Sequence, residues 1–437
     1  MKRTPENLEE IGQSESGNTG REKAGITSKL KGKVSWQKTF AALRHRNYRL
    51  WFWGQMTSLF GSWMQTTAQG YLVFQLTHSP VYLGYVGFAS GVPAWVFMLF
   101  GGVIADRIER RTVLIITQTV MMILALILAG LTFAHIVEAW HIVLLAFGLG
   151  IANAFDAPAR QSFVLELIDR EDLVNAIALN STMFNTATAV GPAVAGLTYA
   201  AFGPAWCFTI NGISFLGVIA ALMMMQLKTQ VRQETKKSAL ADLKEGMIYI
   251  RKQKMILTLM GTVTVVGLFG IAFATLIPAW AVSILRGDAT TNGLLQSARG
   301  FGALISALFL ASVASFKIKG KLVTIGMFSF PVLLIVFSFV RWLPLSLIVL
   351  IGIGAASLLI LNVVNGLVQT LVSDEFRGRV MGIYSISFFG FMPLGALLIG
   401  AFAEHLGEPM AIIINAVVLL LFATLIFFLV PKLRTLH

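Results

Sequence analysis

The stretch Gly101-Gly102-Val103-Ile104-Ala105-Asp106-Arg107-Ile108-Glu109-Arg110-Arg111 ends in a short charged segment that separates two long apolar runs. Residues 81–105 and residues 112–134 contain no Asp, Glu, Lys or Arg. Each run is long enough to cross ~30 Å of hydrocarbon as a helix. The charged segment is too short to form a domain. The sequence therefore predicts two antiparallel membrane-spanning helices joined by a tight loop.

The charges of this loop predict its side of the membrane. Arg107, Arg110 and Arg111 place it in the cytosol, because basic residues accumulate in cytoplasmic loops. Gly102 permits close contact with a neighbouring helix. Asp106 is unfavourable at the membrane edge unless it meets a cation or a helix N-terminus. We therefore expect a partner for Asp106 from another part of the chain.

The composition also predicts a membrane protein, because 56% of the residues are hydrophobic and only 13% are charged. The single cysteine, Cys207, excludes an internal disulfide. The six histidines show no metal-ligand spacing, and no phosphate-binding loop occurs, so we expect no metal, no ATP site and no cofactor. In a soluble protein the net charge of +13 would suggest a nucleic-acid partner. Here the charge is better explained by membrane topology, and we expect no nucleic-acid partner.

The apolar runs predict an all-α membrane protein of twelve transmembrane helices in two pseudo-symmetric six-helix bundles. Residues 1–47 form a cytosolic basic tail and a juxtamembrane segment. Within that segment, Trp36, Phe40 and Leu43 recur at helical spacing, which suggests either an amphipathic surface helix or a plain anchor. A basic linker at residues 228–255 separates the bundles at 48–227 and 256–431, and a tail of residues 432–437 follows. The predicted spans are 48–76, 81–104, 112–134, one starting near 141, 174–202, 205–227, 256–285, 293–315, 322–341, 344–372, 380–404 and 409–430.

The basic residues support an even number of spans. With both termini in the cytosol, 31 of the 34 lysines and arginines fall on the cytosolic side. Only Arg286, Arg299 and Arg341 fall elsewhere. An odd number of spans would destroy this asymmetry, which is the one that inserted proteins show. We therefore expect a multi-pass protein of the cell inner (plasma) membrane with both termini cytosolic.

Two similar helical halves in one chain are typical of secondary transporters, whose substrate site lies between the halves. Polar residues inside the predicted spans are candidates for lining such a cavity, although bonding between helices is an alternative role for each. The candidates are Gln55, Gln65, Asn180, Asn185, Asn362, Asn365 and Gln369. Arg299 is the only basic residue well inside a span. It either attracts an anionic cargo or extends to the outer interface.

The loop pattern, extended to Leu114, resembles the signature between the second and third spans of the major facilitator superfamily. Glu109 departs from it, since the family usually has Gly there. Three further phrases resemble the enterobactin-exporter-like branch, which includes macrolide efflux proteins. They are residues 40–49, residues 153–161 with 173–181, and residues 377–382. The resemblance covers residues 36–431 and implies a transporter rather than an enzyme.

The segment Thr188-Ala-Val-Gly191-Pro192-Ala-Val-Ala-Gly196 resembles the span-five signature of antiporter-type members of the superfamily. This resemblance implies export. The alternative is ordinary tight helix packing, since Gly191 and Gly196 permit close contact and Pro192 can kink a helix.

The resemblance also implies a conformational latch at the inner surface. Asp106 would cap the eleventh span near Gly378, and Arg110 would pair with Asp156. The alternative is a static surface ion pair. The complete predicted set is Gly102, Asp106, Arg107, Arg110, Arg111, Asp156, Arg160, Gly378 and Arg379.

The sequence places Asp156 and Glu404 near span ends and no acidic residue at mid-membrane. Proton antiport therefore rests on the resemblance, with Asp156 as the candidate carrier. We expect an exporter of small amphipathic molecules, siderophores or drugs, with protons and membrane lipid as partners and a monomeric state. The alternatives are a lipid or lysolipid flippase on the same scaffold and a non-transporting membrane sensor.

Overall fold

A computed structural model describes residues 40–97, 108–227, 239–313 and 318–436 of the chain. Within these ranges the chain is helical, without an assigned strand, and the predicted all-α class is confirmed. In chain order the helices are α1 Arg46–Thr77, α2 Pro80–Gly91, α3 Arg110–Phe133, α4 Ala139–Leu167, α5 Leu173–Phe202, α6 Pro204–Met224, α7 Ala239–Lys252, α8 Lys254–Ile284, α9 Ala289–Val313, α10 Lys319–Phe339, α11 Leu343–Leu371, α12 Asp374–Leu406 and α13 Glu408–Leu429.

Nine of the described helices are long and apolar enough to cross a membrane, namely α3, α4, α6 and α8 to α13. Helices α1 and α5 have the length, 32 and 30 residues, but contain more polar side chains. Helix α2 is followed by a further helical stretch, and this part of the chain is described only as far as residue 97. The protein is therefore a multi-pass membrane protein, and the count of twelve spans stays a prediction.

Antiparallel helices joined by short connections give the molecule two ends. We call the end at which α1 begins and α13 finishes the terminal end, and the other the far end. At the terminal end, Asn47 Nδ2 donates to the carbonyl of Gln226 at 2.8 Å, next to the end of α6. At the far end, Gly203 and Gly407 have positive φ angles of 88° and 81° and connect α5 to α6 and α12 to α13. Glycine tolerates this conformation, and the same connection in each half agrees with the predicted internal repeat.

The apolar core is divided along the chain. The largest cluster of buried residues runs from Ile250 to Leu433, and a second runs from Ala42 to Met225. A third cluster joins residues 68–208 to Ala279 and Ala289, which belong to the second half. We call α1 to α6 the first group and α8 to α13 the second group. The third cluster shows where the two groups meet.

Two segments outside the spans differ from the predictions. Only a short 3₁₀ turn, Ala41–Arg44, precedes α1 in the described part of the juxtamembrane segment. Helix α1 already begins at Arg46, two residues before the predicted start of the first span, and the predicted surface helix around Trp36 lies partly outside the described residues and stays a prediction. The predicted basic linker contains α7, whose residues Asp242 and Glu245 both pair with Arg379 at the start of α12. This linker helix is therefore attached to the second group.

Candidate functional site

The first group meets the second along α5 and α9, and the predicted glycine-proline motif lies in this contact. A Cβ atom built on Gly196 would lie only 2.6 Å from the carbonyl oxygen of Ala289, and one on Gly293 would overlap the carbonyl of Pro192. The amide of Ala193, next to the kink-inducing proline, donates to Ser297 Oγ at 2.8 Å. The motif therefore holds α5 and α9 at backbone contact near the far end.

A second contact between the groups joins α2 to α12. The carboxylate of Glu404 accepts hydrogen bonds from Ser79 Oγ at 2.6 Å and from the amide of Val81 at 3.3 Å. A carboxylate in this position satisfies free amides at the start of α2 and is favoured by the helix dipole. Further from the far end, Trp95 Nε1 donates to the carbonyl of Gly390 at 2.6 Å. Glu404 does lie near a helix end, as predicted.

Polar side chains connect α6, α1 and α9 in the interior. Asn211 Nδ2 donates to Gln65 Oε1 at 2.6 Å, so α6 is bonded to α1. Asn292 Nδ2 donates to the carbonyl of Thr67 at 3.4 Å, which bonds α9 to α1. Gln296 continues the line by donating to Asn292 at 3.3 Å. All of these side chains are buried, and the line crosses from the first group to the second.

The other cavity candidates of the first group have different surroundings. Gln55 is buried, and its Oε1 has no hydrogen-bond partner among the described residues. Asn180 accepts a hydrogen bond from Tyr48 at 3.1 Å, so it joins α5 to α1 near the terminal end. Asn185 is partly buried and makes no bond within the described ranges. Of these three, Asn180 has the helix-bonding role that was the alternative to lining a cavity.

The candidates on α11 lie toward the terminal end and are more exposed. Asn362 is exposed, and Gln369 Nε2 donates to Asn365 Oδ1 at 2.6 Å within the same helix. These three residues thus do not join the buried polar line formed by α1, α6 and α9.

Arg299 lies near the middle of α9. It is ten residues from the start of the helix, about 15 Å at the rise of an α-helix. The predicted span begins at residue 293, four residues later than the helix does, so Arg299 lies deeper than that span implied. Arg299 is partly buried, and its Nε is enclosed without an acceptor among the described residues.

Asp156 is buried, with 1% of its surface exposed, and lies eleven residues before the end of α4. The prediction that it lies near a span end is therefore wrong, because α4 continues through Pro158 to Leu167. Thr117 Oγ1 and Gln118 Nε2 of α3 each donate to Asp156 Oδ1 at 2.9 Å. Arg160, one turn later, approaches Oδ2 at 3.5 Å.

The predicted pair between Arg110 and Asp156 is not formed in this structure. Arg110 Nη1 instead donates to Glu166 Oε1 at 2.5 Å. Arg110 opens α3 and Glu166 nearly closes α4, so both lie at the terminal end, whereas Asp156 is ten residues deeper. The ion pair therefore forms between residues at the same height in neighbouring antiparallel helices.

The rest of the predicted latch is only partly described. Gly102, Asp106 and Arg107 lie outside the described residues, so the Asp106 cap stays a prediction. Arg111 donates to the carbonyl of Met223 at 2.9 Å. A Cβ built on Gly378 would meet no described atom within 4 Å, and this glycine lies inside α12, four residues after its start. Arg379 pairs with α7 rather than with the first group.

The sequence of this chain matches the family model described as transmembrane secretion effector over residues 37–436. The chain belongs to this family. It is a branch of the major facilitator superfamily, so the predicted superfamily is confirmed. The staphyloferrin A transporter of Staphylococcus aureus is 25% identical over 350 residues, covering 79% of this chain and 87% of that protein. The multidrug efflux pump Tap of Mycolicibacterium fortuitum is 25% identical over 390 residues, covering 87% and 95%.

The predicted branch is confirmed as well, because an enterobactin exporter and a macrolide efflux protein are also among the relatives. The fold is similar to that of a bacterial homologue of the human lysosomal transporter Spinster, solved in an inward-facing and occupied conformation. The TM-score is 0.69 at 13% identity, and the match covers 89% of this chain and 98% of that chain. The relatives of the chain are transporters and not enzymes.

Several residues of this facilitator site were not predicted from the sequence. Asn292, Gln296 and Ser297 lie on α9, and Gln118 lies on α3 beside Asp156. The sequence contained a signal for two of them. Asn292, Gln296 and Arg299 are at positions i, i+4 and i+7, so they share one helix face. Glu166 was not predicted as the partner of Arg110, because α4 extends further than expected, to Leu167.

Proposed function

We propose that the protein is a secondary active transporter that exports small amphipathic molecules, of siderophore or drug-like classes, by alternating access. The observation that supports this most strongly is that the described hydrogen bonds between the two groups lie mainly toward the far end, with the bond from Trp95 to Gly390 as the exception. Their bonds through Asn292, Ser297 and Glu404 lie toward the far end. At the terminal end, His45 pairs with Asp172 and Arg110 with Glu166, each within the first group. Such asymmetry is expected of two bundles that tilt about a central site.

In this proposal the molecule has twelve spans, with bundles at 48–227 and 256–431 joined by the linker at 228–255. Helices α1, α2 and α5 add three spans to the nine clearly apolar ones. The tails at 1–47 and 432–437 are cytosolic, because 31 of the 34 basic residues then lie on the cytosolic side of the inner membrane. The terminal end accordingly faces the cytosol. The contacts at the far end then close the outer side, and the described conformation corresponds to an inward-facing state of a monomer.

Two features favour an amphipathic cargo. The interior has a buried polar line from Gln65 to Gln296. A separate apolar cavity of about 290 Å³ lies between the segment that follows α2, helix α7 and helix α12, and is lined by residues that include Trp95, Leu243 and Phe389. A cargo with both polar and apolar parts, or the lipid that surrounds the helices, fits such surfaces. Export is favoured by the relatives, which are named efflux pump and exporter.

We propose coupling to protons, with Asp156 as the carrier. It is a buried carboxylate whose Oδ1 receives two neutral donors, from Thr117 and Gln118, and whose Oδ2 accepts no hydrogen bond among the described residues. Oδ2 therefore has a free lone pair on which the carboxylate can take a proton. Release of the proton would strengthen the contact with Arg160. The latch formed by Asp106, Arg107 and Gly378 stays part of this proposal for the outward-facing state.

The test is accumulation of labelled siderophores and drugs in cells that lack their own exporters, with and without this protein. We expect lower accumulation that returns to the control level when the proton gradient is collapsed. Asp156→Asn should remove the gradient dependence, whereas Asp169→Asn, an exposed acid in the next loop, should retain it. Unchanged accumulation of every compound, with the protein present in the membrane, would contradict export. Export by Asp156→Asn that still follows the gradient would contradict the carrier role alone.

A further inference from the structure

The orientation of Arg299 follows from the pattern of exposure along α9. Leu294, Phe301 and Leu308 are exposed large apolar residues and mark the face of α9 that meets lipid. At 100° per residue, Arg299 lies about 160° from Phe301 around the helix. The side chain thus leaves the helix on the side away from lipid, which removes the alternative that it extends along the outer surface to the interface.

The backbone around Arg299 is fixed on both sides. A Cβ on Gly354 of α11 would overlap the carbonyl of Arg299, and a Cβ on Gly300 would overlap the carbonyl of Thr188 in α5. Helix α9 therefore packs between α11 of the second group and α5 of the first. Because both contacts involve backbone atoms, the guanidinium is attached to a rigid element at the boundary between the groups.

Arg299 shares its helix face with Gln296 and Asn292, which lie one and two turns nearer the far end. Asn292 donates to the carbonyl of Thr67 in α1, so this face is directed at the first group. Gln296 Nε2 donates one of its two N–H groups to Asn292 Oδ1, and its second N–H has no acceptor among the bonds described within the chain. This face therefore presents the guanidinium of Arg299 and the amide of Gln296 to the space between the groups. Both lie nearer the terminal end than Asn292 does.

No residue in the described part of the chain forms an ion pair, a hydrogen bond or a ring contact with the Arg299 side chain. A guanidinium has five N–H donors and stays charged in proteins. A charged group inside a membrane protein is unfavourable unless it is paired or hydrated, and such groups mark ligand paths. An anion supplied from outside the chain would provide the missing acceptors.

We infer that Arg299 and Gln296 bind one carboxylate group of the transported molecule, an inference that rests on the proposed export function. A single guanidinium matches a carboxylate in both charge and geometry, because two parallel N–H···O bonds form and one charge is neutralised. A phosphate group, with a charge of about −1.5 to −2 at neutral pH, would require a second cation that the described residues around Arg299 do not supply. The cargo is therefore an amphipathic carboxylic acid.

The test is binding of two fluorescent probes of equal size to the full-length protein in lipid nanodiscs. N-dansyl-leucine has one carboxylate, and N-dansyl-leucinamide is neutral. We expect the wild-type protein to bind the acid more tightly. Arg299→Gln should weaken binding of the acid about 10- to 100-fold, the range for a charge-assisted hydrogen bond, and change binding of the amide less than about twofold. Arg299→Lys should lie between the two, because lysine retains charge but not the bidentate geometry.

A matched control is Arg341→Gln, which removes a cation that stacks on Trp280 at the far end, away from the proposed site. We expect it to leave the preference for the acid unchanged. Equal wild-type affinity for acid and amide, or no binding of the acid, would overturn the carboxylate site. Equal weakening of both probes by Arg299→Gln would also overturn it, because it would indicate a purely structural role. An intact preference for the acid without any export in cells would contradict the proposed function and not the binding site.

Discussion

One methyl group at Gly196 tests whether the contact between α5 and α9 belongs to only one of two conformations. The added Cβ would lie 2.6 Å from the carbonyl oxygen of Ala289 and 3.0 Å from Cα of Thr290. Close C···O contacts in proteins are at least about 3.3 Å, so the helices would have to separate by about 0.7 Å. Overpacking of this kind costs about 1–3 kcal/mol.

The cost applies only where α5 and α9 touch. If the far end opens during transport, Gly196→Ala shifts the equilibrium toward that open state by about 5- to 150-fold. The assay is a distance between two spin labels at Leu76→Cys and Leu406→Cys, which are exposed near the far ends of α1 and α12. Replacement of the buried Cys207 by Ser leaves only these two thiols. We expect a longer distance between the labels in Gly196→Ala than in the unsubstituted protein.

Two control glycines separate this effect from general destabilisation. A methyl group on Gly302 would overlap the carbonyl of Ile351 inside the second group, so Gly302→Ala should lower the melting temperature without lengthening the distance. A methyl group on Gly130 meets no described atom within 4 Å, so Gly130→Ala should change neither quantity. An unchanged distance in Gly196→Ala, or equal lengthening in Gly302→Ala, would refute the reasoning that the α5–α9 contact selects one conformation.

Three further results are expected. Glu404→Gln removes the charge that caps α2 and should lengthen the same spin-label distance, though less than Gly196→Ala, whereas Glu138→Gln, at another far-end loop, should not. Arg379→Gln breaks two ion pairs to α7 and should speed hydrogen exchange across Ala239–Lys252, while Arg377→Gln, whose partner Asp374 is on its own helix, should not. The amide of Thr291 donates to the carboxylate of Asp288 and holds the pKa of Asp288 below its usual range, so the ionised carboxylate stabilises the folded protein at neutral pH. This stabilisation should disappear as pH falls below about 4, and Asp288→Asn should remove that acid dependence of the melting temperature.

The sequence predicted the contact at the glycine-proline motif because the cause is local. Gly191 and Gly196 have no side chain at any helix rotation, and Pro192 always lacks an amide donor. Whatever helix approaches them can approach closely, and α9 does so at Gly196 while α1 does so at Gly191. The alternation of apolar runs and short charged loops was equally readable, since the length of hydrocarbon to be crossed limits each span.

The partner of Arg110 could not be predicted with the same certainty, because it depends on where a helix ends. The sequence placed Asp156 near the end of its span, but α4 continues to Leu167. Glu166 lies ten residues after Asp156 in this longer helix, so Glu166 rather than Asp156 lies at the level of Arg110. Asp156 lies beside Thr117 and Gln118. Because it is buried there, it is the only strong candidate for a proton carrier among the described acids of the first group.

The sequence by itself determined that this protein is a helical membrane protein and that it belongs with the facilitator transporters. Hydropathy, charge and local motifs act over a few residues, so they are written directly in the chain. Only the tertiary structure decided that α9 directs Asn292, on the same helix face as Arg299, toward Thr67 of α1, and that Glu404 contacts Ser79 at the far end. These facts depend on the rotation and height of helices separated by more than 200 residues, which are fixed by the packing of the two groups together.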